Sequence, residues 1–184
     1  MAGDFKASTL LLCFCLLPLM GTTALAEGVT FGVNDLRSVF YVSKSENQNQ
    51  VHYALRIDAS CRPLTSTPVF AYWRRLKKGV RIDEPLVGPG RRLYGASEEQ
   101  QVGEIPSGYR VRMYVRAAKK VPIEIHVKKT ETGCQATPYA VIQREPARLS
   151  HAFLQLARFG LGVKYLELVG FRSRDGAKVT EQVR

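Results

Sequence analysis

The sequence predicts an all-β fold, either an antiparallel β-sandwich or a partly closed barrel of about nine strands. Beyond residue 38, apolar and polar side chains alternate with a period of two rather than 3.6. Glycine, proline and small polar residues separate these runs at short intervals, as in sheet proteins. Each run has one polar face, which is typical of antiparallel sheet with one side in water.

The elements follow from this alternation and from its interruptions. The polar segment 46–50 forms a turn between the first two strands, and 62–68 leads to the third. Residues 77–91 carry Pro85, Gly88, Pro89 and Gly90 and predict the longest loop. The strands predicted by the alternation are 39–44, 51–58, 69–76, 109–118, 123–129, 163–172 and 178–183.

Two later segments complete the prediction. Asp175-Gly176 lies between the last two strands and is a strong hairpin signal. Residues 149–159 fit a helical spacing at Leu149, Phe153 and Leu156, but they also fit a strand. We favour a strand because the surrounding segments are β.

The amino terminus has the pattern of a secretory signal peptide over residues 1–26. Lys6 precedes the apolar run 10–20, and Ala24-Leu25-Ala26 precedes a cleavage site before Glu27. An uncleaved anchor is the alternative, but the run is shorter than the roughly 20 residues that span a bilayer. The sequence therefore predicts an exported protein, periplasmic or secreted. A single β domain over 27–184, with no transmembrane segment, would remain after cleavage.

Two cysteines, Cys61 and Cys134, follow the signal segment. In an oxidising compartment they predict a disulfide, which would close a loop of roughly 74 residues and stabilise the fold by about 4 kcal/mol. Two buried thiols are the alternative. The spacing matches no zinc site.

The formal net charge of +11 favours anionic partners. For an exported protein these are anionic lipid, polysaccharide or cell-wall polymer, and no nucleic acid is expected. The charge does not bear on the fold, and the sequence does not indicate an oligomeric state.

The segment after the first strand is one candidate ligand site. A cation, a hydroxyl and two amides on a tight turn suit an anion or a sugar, although the same residues are common in plain hairpin turns. The residues are Lys44, Ser45, Asn47 and Asn49.

A second candidate lies in the third strand, where Tyr72 and Arg74 share one face. An aromatic ring beside an arginine can stack on a sugar or hold a phosphate. The alternative is a core Trp73 flanked by solvated arginines.

The third candidate is a basic sheet face. Strands 109–118 and 123–129 should pair as a hairpin, with the odd-numbered apolar residues of both strands on one face. That register places cations on the opposite face, with Glu124 as the only acid. A solvated face with no ligand is the alternative. The positive side chains of the predicted face are Arg110, Arg112, Arg116, His126 and Lys128.

The sequence carries no catalytic pattern. Ser150 and His151 are adjacent, so in a strand they point to opposite faces, and no glycine-rich nucleophile turn precedes a serine. Glu98 and Glu99 are neighbours in a loop rather than acids facing each other across a cleft. We therefore predict no catalytic residues, no metal and no cofactor.

Several short segments resemble, in the expected order, the family called domain of unknown function 4833. Lys44 stands where the family pattern leads us to expect arginine. The resemblance implies one compact domain and no particular activity. The segments are 40–53 (FYVSKSENQNQVHY), 68–73 (PVFAYW), 93–95 (LYG), 165–170 (YLELVG) and 179–181 (VTE).

The leading functional hypothesis is a non-enzymatic exported domain that binds an anionic or carbohydrate ligand of the cell envelope. A hydrolase-type enzyme with a cryptic site is one alternative, and a structural or assembly module is the other. A polar pocket would favour the enzyme, and a basic surface would favour the binding protein. A bare edge strand would favour the assembly module.

Overall fold

The structure is a computed structural model that describes residues 32, 35–43, 49–158 and 162–184. The signal peptide predicted over 1–26 and its cleavage before Glu27 lie outside the described residues. Within the described part, no helix has the length and apolar character needed to cross a membrane.

The all-β prediction is confirmed, and the described residues form eleven strands instead of about nine. A helix, α1, spans Gly88–Tyr94, and a 3-10 turn spans Arg116–Ala118. The strands in chain order are β1 (Leu36–Ser43), β2 (Gln50–Leu55), β3 (Val69–Lys77), β4 (Val80–Pro85), β5 (Gln101–Ile105), β6 (Gly108–Met113), β7 (Ile123–Thr130), β8 (Gly133–Ile142), β9 (Glu145–Leu156), β10 (Val163–Arg172) and β11 (Lys178–Val183).

All eleven strands belong to one mixed sheet, which does not close into a barrel. The order is β4-β3-β2-β1-β9-β8-β7-β6-β5, and β10 pairs with β9 and β11. The long strand β9 pairs with β8 near its start and with β1 further along. The β1–β9 pair is parallel, which corrects the purely antiparallel prediction.

The core lies on the face of the sheet that the alternation predicted. In β6 and β7 the odd-numbered residues Val111, Met113, Ile123, Ile125 and Val127 are all fully buried. The two strands pair antiparallel with these residues facing one another, as the odd-numbered register required. They join one continuous cluster with the apolar side chains of β1, β2, β9 and β10.

The loop predicted at 77–91 is wrong, because this segment contains β4 and the start of α1. Lys78 and Gly79, with φ of 49° and 81°, form a two-residue turn that joins β3 to β4. No residue of β4 is fully buried, since it is an edge strand, so the sequence has no apolar period there.

The bounds of the other predicted strands differ less from those in the structure. The segment 149–159 is a strand as far as Leu156, within β9. The predicted strand 109–118 ends at Met113, after which the chain leaves the sheet. The disulfide is confirmed: Cys61 and Cys134 are bonded, with their Cα atoms 5.5 Å apart.

Candidate ligand-binding cleft

Arg116 is the residue that three surface concavities have in common. Val115 stays in the core and bridges to Ala96, and the 3-10 turn then directs the Arg116 side chain towards the 95–98 segment. The Arg116 backbone N–H donates to the Gly95 carbonyl at 3.0 Å, and Nε donates to the Ala96 carbonyl at 3.1 Å. These bonds fix the guanidinium, so its position does not depend on a ligand.

Gly95 makes this close approach sterically possible. A Cβ atom there would lie 2.4 Å from the Arg91 carbonyl oxygen and 3.1 Å from Arg116 Nε. The first distance is below any normal contact. A side chain at residue 95 would therefore force apart the end of α1 and the Arg116 turn.

Three adjoining concavities share Arg116, and we call them together the Arg116 cleft. The arginine pocket, of about 520 Å³, includes Arg56, Arg91 and Gln100 in its lining. The middle pocket, of about 540 Å³, shares Glu98 with it and adds Arg92 and Lys119, among others. The apolar pocket, of about 330 Å³, shares Lys119 and extends to β10 and β11.

Basic side chains outnumber acidic ones in the lining of the Arg116 cleft. Seven arginines and lysines stand against two acids, Glu98 and Glu99. The cleft therefore concentrates positive charge where low-dielectric walls strengthen its effect on an anion. The seven are Arg56, Arg91, Arg92, Arg116, Lys119, Lys120 and Arg184.

The cations of the arginine pocket differ in their partners. The Arg56 guanidinium lies over the Phe70 ring, 4.1 Å from its centroid, and neither Arg56 nor Arg91 forms an ion pair within the described residues. Arg116 Nη2 donates to Glu98 Oε1 at 2.7 Å, but that glutamate side chain is 79% exposed. An exposed pair is weak, so an incoming anion can replace Glu98 at low cost.

Gln100 fixes one wall of the arginine pocket. Its Oε1 accepts a hydrogen bond from the Val69 N–H at 2.9 Å, and its Nε2 donates to the Val69 carbonyl at 2.8 Å. The amide thus takes the place of a neighbouring strand at the start of β3. Nε2 also donates to the Ser97 carbonyl at 3.1 Å, which ties the 95–100 loop to the sheet.

The first candidate site is only partly described. Lys44, Ser45 and Asn47 lie outside the described residues. Asn49 Oδ1 accepts a hydrogen bond from the Leu76 N–H at 3.1 Å, which joins the start of β2 to β3.

The second candidate pair shares one face, as the alternation predicted. Arg74 Nη2 donates to Tyr72 Oη at 3.1 Å, and the guanidinium makes a two-pronged ion pair with Asp83. Hydrogen bonding to Asp83 raises the pKa of Arg74. Tyr72 is fully buried and Arg74 is neutralised by Asp83, so the pair offers no open stacking surface even though Tyr72 borders the arginine pocket.

The predicted basic face is correct for the hairpin strands and wrong for Arg116. Arg110 faces His126 and Arg112 faces Glu124 across β6 and β7. Arg116 lies beyond the end of β6, because the chain turns out of the sheet after Met113. Val115 is buried as well, so the alternation of buried residues continues past the end of the strand. The structure therefore separates Arg116 from Arg110 and Arg112.

A row of stacked rings crosses the sheet from β9 to β3, where it ends at Tyr72 beside the arginine pocket. Tyr41 stacks between His52 and His151, with ring centroids 5.4 and 5.2 Å apart, and His52 also stacks on Tyr72. His52 Nε2 lies 2.9 Å from Gln50 Oε1, which can only accept, so the ring proton is on Nε2. Nδ1 then accepts from the Ser38 hydroxyl at 2.6 Å.

This histidine is a poor proton acceptor. Burial, with a smaller contribution from the positive charge of Arg74, lowers the pKa of His52 to about 4. General bases work best with a pKa near the operating pH, and no carboxylate orients this ring. The Ser38–His52 pair therefore serves to satisfy buried polar atoms.

Ser150 and His151 do not point to opposite faces, which corrects the sequence-based expectation. The pairing of β9 with β10 shifts by one residue at Ser150, and this bulge brings Ser150 Oγ within 3.2 Å of His151 Nδ1. Burial lowers the pKa of His151. Among the described residues, no cluster of three metal-ligating side chains occurs.

Fold and cleft together define an all-β protein with a single mixed sheet and a cationic cleft at one side. The chain belongs to the family described as domain of unknown function (DUF4833), whose model matches residues 40–182. That match covers most of the sheet and confirms the resemblance found in the short segments. A search of curated proteins and a search of solved structures gave no match.

Proposed function

We propose that the protein binds an anionic ligand of the cell envelope in the Arg116 cleft, without transforming it chemically. The observation that carries the proposal is the excess of seven cations over two acids around three concavities that share Arg116. Concave sites with convergent charged groups are where ligands bind. An acidic polysaccharide, a cell-wall polymer or an anionic lipid would satisfy this charge.

The two alternatives have less support. A hydrolase would need an activated nucleophile, and the Ser38–His52 pair has a weakly basic ring with no orienting carboxylate. An assembly module would use the edge strand β4, where Val80 and Ile82 are exposed. Charged Arg81 and Asp83 alternate with them, however, and such charges discourage edge-to-edge pairing.

A pair of double variants tests the proposal. Arg56→Gln with Arg91→Gln removes two cations of the arginine pocket that form no ion pair within the described part of the chain. Arg110→Gln with Arg112→Gln is the matched control, because it removes the same charge from the sheet face. Binding to phosphatidylglycerol-containing vesicles and to a soluble polyuronate is measured over a salt series.

Wild-type protein should bind at low salt, and the affinity should fall steeply as salt rises. The cleft variant should bind about thirtyfold more weakly, if each cation contributes about 1 kcal/mol, and the control should bind far better than the cleft variant. Equal losses in the two variants would mean that charge acts without a defined site. Absence of wild-type binding to both probes would refute the proposal.

A further inference from the structure

The apolar pocket is the part of the Arg116 cleft whose chemistry differs from the rest. Val121 and Leu166, which form part of its wall, belong to the buried core cluster. Ala118, Val163 and Val183 pack against that cluster and stay partly open. The wall is therefore an accessible apolar patch in a surface concavity, and covering it with an apolar ligand is favourable because that removes apolar surface from water.

The rim of the same pocket is positive. Lys119, Lys120 and Arg184 lie around it with Arg116, and no carboxylate side chain of the described residues belongs to its lining. An occupant of matching chemistry has an apolar body and an anionic end. The pocket volume of about 330 Å³ equals roughly eleven water molecules of about 30 Å³ each, which is enough for part of an acyl chain.

We propose that the ligand of the Arg116 cleft is an anionic lipid, with its phosphate against the cations and its acyl chain in the apolar pocket. This inference rests on the proposed function and adds the ligand class. Arg116 and Lys119 line both the middle and the apolar pocket, so a phosphate held by these two side chains lies beside the apolar wall.

An alkyl phosphate series tests the inference on the whole protein. Glycerol phosphate and the hexyl, octyl, decyl and dodecyl phosphates are compared at concentrations below micelle formation. Affinity should rise about fourfold per methylene while the chain fills the pocket, the value expected for apolar burial. The rise should then level off when the pocket is full.

Ala118→Phe should place a ring in the apolar pocket and remove the dependence of affinity on chain length. Ala59→Phe is the control, since it adds the same ring at an exposed turn residue. If Ala118→Phe does not fold, wild-type protein is crosslinked to an alkyl phosphate with a diazirine at the chain terminus. Mass spectrometry should then find the label on residues 117–121, 163–166 or 183–184.

Three outcomes separate the two proposals. Equal affinity for glycerol phosphate and dodecyl phosphate, with both weakened in the Arg56 and Arg91 variant, would overturn the lipid inference and leave anion binding intact. A chain-length dependence that persists in Ala118→Phe, or crosslinks elsewhere, would also overturn the lipid inference. Absence of binding by every member of the series, together with absence of binding to vesicles and polyuronate, would overturn both.

Discussion

The buried ring of His52 should make the stability of the fold depend on pH in a defined window. Its pKa falls from 6.5 to about 4, chiefly because burial disfavours the charged ring. The His52 ring therefore becomes protonated below pH 6.5 in the unfolded chain but only below about pH 4 in the folded protein. Stability is then unaffected well above pH 6.5, falls as the pH drops from 6.5 to 4, and levels off below that.

The size of the effect follows from the two pKa values. Between pH 7 and pH 5 this one group should lower the free energy of unfolding by about 2 kcal/mol. Its neighbours modify the pKa further: the positive charges of Arg74 and Arg81 lower it, and Asp83 raises it. His151, whose pKa is also lowered by burial, adds a loss of the same sign.

Urea unfolding at pH 7 and pH 5 measures this loss in wild type and in His52→Gln. Glutamine stays neutral and keeps a donor and an acceptor for Gln50 and Ser38, so the variant should lose about 2 kcal/mol less than wild type over this interval. His126→Gln is the control, because that ring lies half-exposed on the sheet surface. An unchanged pH dependence in His52→Gln would refute the assignment.

Four further variants test the packing of the sheet by the same unfolding measurement. Replacing Cys61 and Cys134 together by alanine should lower the free energy of unfolding by about 4 kcal/mol, because the unfolded chain without the cross-link has more conformational entropy. A loss under about 1 kcal/mol would contradict a closed disulfide. Gly108→Ala would place a Cβ 2.2 Å from a carbonyl oxygen of β7 at a φ of 140°, so we expect a loss of about 2–4 kcal/mol. Gly103→Ala, in the neighbouring strand β5 with nothing within 4 Å, should leave stability unchanged or slightly raised, and equal effects at the two glycines would disprove the steric argument. Gln100→Ala should cost about 1–3 kcal/mol, because it leaves two backbone groups at the start of β3 without partners; a neutral result would show that water replaces the amide.

The hairpin of β6 and β7 was predictable because burial of one face constrains the register. A slip of one residue would have placed Arg112 or Glu124 in the core, so the alternation alone determined which residues pair. The edge strand β4 was not predictable in this way, since no residue in it is fully buried. Its Lys78-Gly79 turn also lacks the usual Asn-Gly or Asp-Gly signal.

The cleft was predictable only in part. The sequence singled out Arg116, but placed it on the wrong surface. Val111, Met113 and Val115 are all buried, so the alternation does not show that the strand ends at Met113. Arg56 and Arg91 carried no signal, since they belong to separate elements that only the folded sheet brings to one pocket. A run of charges in one segment is visible in a sequence, whereas convergence from distant segments is not.

The disulfide has a consequence for the route by which the sheet forms. Tyr41 of β1 must find His151 of β9, a closure over roughly 110 residues, and parallel pairs of such separation form slowly. With Cys61 already bonded to Cys134, the same contact closes over an effective span of roughly 37 residues, which lowers the entropic barrier by about 1 kcal/mol. Oxidised chains should therefore refold about fivefold faster than reduced ones. Formation of the disulfide would therefore shorten the time during which the unpaired edge of β1 is exposed to aggregation.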